Sequence, residues 1–467
     1  MKILKTVVIF TIALFINYSS GWTYTKDTEN RLVVKDSVVV PASIRYARMN
    51  PIKWLFLGNN YREEWSMPVA MPVFHLQSTR GGFTIEKLGG GQQTRKVHLV
   101  NMKDSTEWEL RSVDKHVTDE ALPPKLRKTF IKNIVQDQIS AAYPYALLTM
   151  YDLSSAAGIP VTTAELFYVP DDPAFGQYRP LFAHSVCFLT PKNINGRKLD
   201  TEGTDTIRTF MEQDNRYQMM QENLLNVRLF DMLIADWDRH KKQWDWAMED
   251  SMHSIYIYPV PQDRDQAYFL SKGLLPMLVR TFGVPHLIGF RKKGNKLIKL
   301  NNKAHEFDSY FLNSLDRTEW TEHIRNFQQR VSDQVIHTAI SRLPPEVYAV
   351  SGAEIEEKLR SRRDGLTKYG MEYYEFIARD VMINSSESGE LFRIISRKDE
   401  MEISVFRKSD NRQIYHRVFI PDDTETIRIV NTDENDEVDM TGYKPVGIDL
   451  KIEKRPAKTE TTTKVTP

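Results

Sequence analysis

The densest run of reactive side chains is Asp236-Trp237-Asp238-Arg239-His240-Lys241-Lys242-Gln243, and Asp263-Arg264-Asp265-Gln266-Ala267-Tyr268 follows twenty residues after it. Both runs come directly after apolar segments. Acidic clusters placed after a helix and after a strand are a common way to build a metal–phosphate site. Mg²⁺ is a hard cation that takes carboxylate and amide oxygens. A carboxylate beside an acceptor hydroxyl can orient or deprotonate it. Upstream, the glycine turn Gly89-Gly90-Gly91-Gln92 lies between two strand-like runs. Such a turn lets backbone N–H groups approach phosphates. Arg111 or Lys115 on the next strand can neutralise those phosphates, and Asp137 on the following helix can hold that cation in place.

This is the order of parts in protein-kinase-like phosphotransferases. Asp238-Arg239-His240 resembles the Asp-Arg-His motif of secretory-pathway atypical kinases, the Golgi casein kinase and four-jointed group. It also resembles the Asn-x-Asp-x-His catalytic loop of HipA-like kinases. Gly90-Gly91-Gln92, followed by a strand, a turn and Trp108-Glu109-Leu110-Arg111, is similar to the glycine loop and lysine strand of the first group. The resemblance implies a bilobal fold and a site for Mg²⁺ or Mn²⁺ with ATP or another nucleotide. It makes Asp238, with His240, catalytic. It gives the metal to Gln243 and Asp263, with Asp265 a second ligand or a rival to Asp263. Gly89–Gly91, Gln92 and Arg111 or Lys115 would meet the nucleotide, with Asp137 positioning the cation. Two positions depart from the pattern: Gln243 stands where an Asn or Glu is usual, and Arg111 where a lysine is.

A second resemblance covers about residues 42–450. Tyr61-Arg62-Glu63-Glu64-Trp65, Leu110 to Lys115, Gln136 to Ala142, and Leu229 to Leu233 through Tyr268 look like an uncharacterised bacterial cell-envelope family. In that family the module often lies between a metallophosphatase domain and an outer-membrane β-barrel. This chain looks like a stand-alone copy. The resemblance implies an envelope protein or glycan hydroxyl as acceptor and an outer-membrane protein as a candidate partner.

Each feature alone also has a plain structural reading. A glycine run is usually a turn. Asp238-Arg239-His240 can be a solvated helix end, with His240 favoured by the dipole. Asp263-Arg264-Asp265 can be a surface ion-pair network. Trp237, Trp244 and Trp246 are expected to pack rather than bind. His184, His253 and His305 lack paired ligand spacing, and no Gly-x-Ser-x-Gly or His-Glu-x-x-His motif occurs.

The elements that must position these residues are legible in outline. Residues 22–64 read as an N-terminal extension. Residues 65–190 form a strand-rich nucleotide lobe, with Asn101 to Thr106 as a hairpin turn and a helical stretch from Phe130 to Ala157 broken at Pro144. Residues 191–345 read as a helical lobe whose main helix runs from Thr206 to Ile234. Residues 346–390 read as a charged helical connector, 391–452 as a small C-terminal β domain, and 453–467 as a disordered tail. The fold class is therefore α+β.

The chain has 467 residues, with 63 Lys+Arg against 62 Asp+Glu. That balance argues against a dedicated nucleic-acid binder, which needs clustered positive charge. The single cysteine, Cys187, excludes an internal disulfide and a Cys-based zinc site, and its apolar neighbours make it a buried strand residue. Lys2 and Lys5, the apolar run Val7 to Ile16, and Ser19 and Gly21 have the order of a secretory signal over residues 1–21. The expectation is export to a periplasm or cell envelope, with no transmembrane span after signal removal. The function expected is phosphoryl transfer to an envelope protein or glycan hydroxyl. The alternative is a catalytically inactive kinase-like scaffold or binding protein in envelope assembly.

Overall fold

A computed structural model of the chain describes residues 33–34, 36–89, 94–118, 127, 129–194, 198–442 and 447–455. The segment expected as a signal and most of the expected tail lie outside these residues, as do Gly90, Gly91 and Gln92.

The chain is a mixed α+β protein, with five sheets among the described residues. Strands β1 (Val33–Val34), β2 (Ser37–Val40) and β3 (Val69–Pro72) form a small sheet. Helices α1 (Pro51–Leu57) and α2 (Arg62–Ser66) lie between β2 and β3. Tyr46, Tyr61 and Trp65 are buried in the main core, so the 22–64 stretch contributes packed residues to the body. The Tyr61 hydroxyl donates to the Tyr268 carbonyl at 2.6 Å, which ties this stretch to the second acidic run.

Strands β4 (Phe83–Gly89), β5 (Lys96–Asn101), β6 (Glu107–Ser112), β7 (Glu165–Val169) and β8 (Ser185–Pro191) make an antiparallel sheet in the order β4-β5-β6-β8-β7. Strand side chains alternate between faces. Val97, Leu99, Leu110, Cys187 and Leu189 therefore share one core with Phe74, Phe83, Phe175 and Phe182. Arg111, next to Leu110, points to the opposite face. Its register partner on β8 is Phe188, which belongs to the core of the helical body. Cys187 is fully buried, and burial pushes its thiol up to about 12, which leaves it inert as a nucleophile.

The helical stretch after β6 breaks as Pro144 demands, into α3 (Thr129–Asp137), short 3₁₀ turns and α4 (Met150–Ala156). The helix expected over 206–234 is not continuous. It divides into α5 (Thr204–Gln213) and α6 (Gln221–Ile234). Asp214 accepts the Arg216 backbone N–H at 2.9 Å, an Asx-type turn that competes with the helix. Residues Tyr217–Met219 then pair as an extra strand.

That strand is β10, in a sheet with β9 (Thr201–Gly203), β11 (Trp244–Asp250) and β12 (Ile255–Pro261), in the order β10-β12-β11-β9. Helices α7 (Leu274–Phe282), α8 (His305–Phe311), α9 (Arg317–Arg330), α10 (Asp333–Ile340) and α11 (Ala353–Ala378) complete the body. Helix α9 starts with a capping box between Asp316 and Glu319. Helix α11 falls in the stretch expected as a connector. Its residues Ile355, Leu359, Leu366, Tyr373 and Tyr374 join the same core as α6, so it is a main wall of the body.

The last sheets begin at Asp380 rather than at 391. Strand β13 (Asp380–Asn384) pairs in parallel with β17 (Thr426–Thr432), and β19 (Asp449–Lys454) flanks β17. The facing sheet has the order β16 (Gln413–Phe419), β15 (Met401–Arg407), β14 (Glu390–Ser396), β18 (Glu437–Gly442). Inward residues such as Ile383, Phe392, Ile394, Ile427 and Ile429 form their shared core. Among the described residues, no helix is long and apolar enough to cross a membrane.

Candidate functional site

One piece of local geometry assembles the site. Strands β11 and β12 are an antiparallel hairpin in which Trp244 pairs with Pro261. Residues just before Trp244 must then lie beside residues just after Pro261. The Gln262 N–H donates to the Gln243 carbonyl at 3.0 Å, continuing the ladder by one step. The twenty-residue spacing between the two acidic runs is thus the length of this hairpin.

Both runs also turn through left-handed backbone at a residue other than glycine. Ala235 (φ 57°) caps α6, and Asp263 has φ 43°. Such positions carry strain of roughly 1–3 kcal/mol and gather at functional sites.

Arg239 locks the two loops together. It is buried and donates to the carbonyls of Gln262 (2.6 Å), Asp263 (2.9 Å) and Gln243 (3.2 Å). Its Nε lies 3.1 Å from the fully buried Asp231, and its guanidinium sits over the Trp244 ring. Asp231 in turn pairs with Arg228 at 2.8 Å, and Arg228 reaches Asp308 at 2.8 Å. A chain of buried charge therefore runs from α6 to α8 behind the loops. The motif's central arginine is the frame on which its neighbours are hung.

Across the cleft, the sheet supplies cations. Arg111 donates Nη1 to Asp263 Oδ1 and Nη2 to Asp263 Oδ2, both at 3.0 Å, and Nη2 to Asp265 Oδ2 at 2.6 Å. Lys115 Nζ also pairs with Asp265. Burial alone would raise the Asp263 carboxyl, but the Arg111 guanidinium and Lys115 hold it well below the ordinary carboxylate range. Burial likewise opposes the charge on Arg111, and Asp263 and Asp265 overcome it, raising its affinity for the proton. Two cations and two anions thus neutralise one another.

Asp137 does not meet Arg111 or Lys115. It pairs with Arg62 and, at 2.5 Å, with Lys53. The expected positioning contact is replaced because α1 and α2 bring their own cations to the end of α3. Gly89 ends β4 opposite Lys96. A Cβ there would lie 2.5 Å from His98 Nε2, so ring packing accounts for this glycine.

Asp238 is partly exposed and accepts a 2.6 Å hydrogen bond from Lys303 Nζ. Lys303 also lies over the Trp237 ring, 4.6 Å from its centroid. His240 caps the short turn Lys241–Gln243, with Nδ1 accepting from the Lys242 N–H at 3.2 Å. Burial, with Lys303, Arg239 and Lys242 nearby, lowers its pKa against the opposing pull of Asp238. Gln243 holds the loop through its backbone, with its N–H on the His240 carbonyl at 2.8 Å. Trp244 and Trp246 are buried and stack on Phe307, as packing residues should.

Two residues carry more than their sequence suggested. Asp236 is almost fully buried and accepts the Asp238 N–H at 3.0 Å. Its Oδ2 has no hydrogen-bond partner among the described residues. Burial pushes its carboxyl up to about 7, with Asp231 adding to the rise and Arg239 opposing it. Its place two residues before Asp238 was the available signal. Lys303 had none, being one of several lysines in a loop.

Asp263 and Asp265, with a nearby carboxamide, are oxygen donors of the kind Mg²⁺ or Mn²⁺ takes. Among the described residues, no group of three or more His, Cys, Asp and Glu side chains is arranged to hold an ion. In this structure the oxygens of Asp263 and Asp265 are engaged by Arg111, Lys115 and the Gln266 amide. The space beside Arg111, Lys115 and Asp265, bounded by Trp65, Tyr143 and Phe188, measures about 30 Å³.

No protein-family model and no curated protein matches the chain. Among solved structures it is similar to a proinflammatory kinase of Helicobacter pylori, CtkA, at 11% identity and a TM-score of 0.31, over 59% of this chain and 94% of that one. A TM-score of that size does not establish a shared fold.

Proposed function

We propose that the chain is a kinase-like phosphotransferase in which β4–β8 are the nucleotide lobe and the helical body carries the catalytic loops. One observation carries the reading. The β11–β12 hairpin and Arg239 bring the loop carrying Asp238 and Gln243 beside the loop carrying Asp263 and Asp265, and that acid pair meets Arg111 of β6 and Lys115 just after it. In this reading Asp238 orients the acceptor hydroxyl and Lys303 holds its carboxylate in place. Asp263 and Asp265 hold Mg²⁺ or Mn²⁺. Arg111 and Lys115 turn to the nucleotide phosphates.

The exchange is balanced in charge. Asp263 and Asp265 would hold a metal cation in place of Arg111 and Lys115, and those two side chains would take phosphate oxygens in place of the acids. Every desolvated charge keeps a partner, which is the condition for such a rearrangement to be affordable in a partly buried site. The metal's contribution when bound is to neutralise and orient phosphate oxygens.

The acceptor in this proposal is an envelope protein or glycan hydroxyl, and the setting is the periplasm or cell envelope. The support for export is the Lys2–Gly21 pattern. The test is transfer of radiolabelled γ-phosphate from ATP, with Mg²⁺ or Mn²⁺, to envelope extracts by residues 22–467. The Asp238→Ala protein should give none. Equal transfer by that variant removes Asp238 from the reaction.

A second reading is favoured by a specific contact. The Arg111 guanidinium satisfies both oxygens of Asp263 and one of Asp265, as a metal would. A chain that keeps this pairing permanently is a kinase-like scaffold that needs no nucleotide. Metal-dependent nucleotide binding separates the two.

A further inference from the structure

Away from the acidic loops, the helical body and the C-terminal sheets enclose a pocket of about 500 Å³. Its size falls in the range of small-molecule sites, about 300–1,000 Å³. Its composition is unusual for this chain. Six carboxamides line it: Asn215, Gln218, Gln221, Asn313, Asn384 and Gln413. Three tyrosines join them, Tyr217, Tyr310 and Tyr415, with the carboxylates Glu212, Glu319 and Glu390. Among the described residues no lysine or arginine lines it, although these make up 63 of the 467 residues; Arg417 hydrogen-bonds the lining only at the Asn313 backbone carbonyl, at 2.7 Å, and Arg208 lies over the Tyr310 ring.

That chemistry selects a ligand class. A carboxamide offers a donor and an acceptor side by side, matching the paired donor and acceptor character of neighbouring hydroxyls. A tyrosine offers an apolar ring face and a polar tip, matching a pyranose with one apolar face and a polar rim. Carboxylates accept from hydroxyls and repel anions. A lining with three carboxylates, no lysine or arginine among the described residues and the single histidine His416 is ill suited to a phosphate or nucleotide, whose charge would be desolvated with little compensation. We propose that it binds a neutral oligosaccharide.

The lining is held in shape before any ligand arrives. Gln221 donates to Asn313 Oδ1 at 3.2 Å and accepts the Ser314 N–H at 2.9 Å. Asn313 donates to the Met382 carbonyl at 2.8 Å, and its own carbonyl accepts from the Tyr415 hydroxyl at 2.8 Å. Asn215 donates to the buried Glu390 at 2.9 Å. The Tyr217 ring is stacked on Phe210, with centroids 5.1 Å apart. Gln221 and Asn313 are each fixed by two side-chain bonds and keep a second N–H and a second oxygen lone pair for a ligand, and fixed side chains lose little entropy on binding. The pocket adjoins a larger cleft at Tyr310 and Phe311, and that cleft reaches His240 and Lys303. The inference holds whether or not Asp238 supports phosphoryl transfer.

The test is saturation-transfer NMR and calorimetry on residues 22–467 with maltotriose, cellotriose and N,N′,N″-triacetylchitotriose, and with trigalacturonate as the charged control. At least one neutral trisaccharide should bind at millimolar concentration or better, and trigalacturonate should not. Gln413→Ala, on an exposed strand position, and Gln218→Arg should each weaken binding by about tenfold or more, equivalent to about 1.4 kcal/mol. Both variants should unfold at the wild-type temperature, and Asp263→Asn should bind sugar normally. Failure of all three neutral sugars to bind, preference for trigalacturonate, or unchanged binding in both pocket variants overturns the proposal.

Discussion

Arg111 grips Asp263 through two parallel hydrogen bonds, each 3.0 Å long, although 152 residues separate them in the chain. This bidentate pair closes the cleft between the five-stranded sheet and the helical body. Guanidinium and carboxylate planes match in this geometry, which makes such pairs stronger than single hydrogen bonds. Replacing Asp263 by Ala leaves a half-buried guanidinium with only Asp265. The expected cost is about 1–3 kcal/mol, read as a lower denaturant midpoint at unchanged slope. Unchanged stability would show that the pair is solvated and loose.

Asp238 predicts the opposite pattern. Its carboxylate is partly exposed and its ion-pair partner is the partly exposed Lys303. Asp238→Ala should alter stability by less than about 0.5 kcal/mol. Loss of a general base lowers turnover by about 10²–10⁴-fold, so any phosphoryl transfer should fall by that factor. A variant that is both unfolded and inactive would make Asp238 structural.

Arg239 should behave as a frame residue. Its guanidinium is buried and serves three carbonyls and Asp231. Arg239→Ala removes one of the cations on the buried Asp231, leaves three loop carbonyls without their donor and frees both loops, and should cost about 3–5 kcal/mol. Arg239→Lys should recover little, because an ammonium cannot reach the same set of acceptors. Urea unfolding of both variants reads this directly.

The buried carboxyl of Asp236 gives a pH signature. Its folded pKa, about 7, lies above its unfolded value, because burial disfavours the charged form. A raised acid stabilises the fold fully below the unfolded pKa and loses that contribution as pH rises through the folded one. Wild type should therefore lose stability relative to Asp236→Asn between about pH 4 and pH 7. The variant keeps a side-chain oxygen for the Asp238 N–H. Parallel curves across that range would place the Asp236 pKa at its ordinary value.

The legible part of this protein was its local chemistry. The acidic runs stood out because charges after apolar segments are rare, and the twenty-residue gap turned out to be a hairpin. Cys187 was readable as buried from its apolar neighbours. Contacts between distant segments were not readable. Nothing in the sequence said that Asp137 would choose Arg62 and Lys53, or that Lys303 would find Asp238. Those pairings depend on where α1, α2 and the loop before α8 pack. The division of the helix at Asp214 was missed because a side-chain turn overrode a strong apolar period. The wall formed by α11 was missed because its many charges masked a buried stripe of Leu and Tyr.

The most direct measurement is thermal unfolding of residues 22–467 with Mg²⁺ or Mn²⁺ and a panel of nucleotides, alongside Asp263→Asn. A ligand at ten times its dissociation constant adds about 1.4 kcal/mol to the folded state. The account predicts a metal-dependent rise in Tm with at least one nucleotide, absent in Asp263→Asn. A well-folded wild type that shifts with none of them, or a shift that survives in the variant, contradicts it.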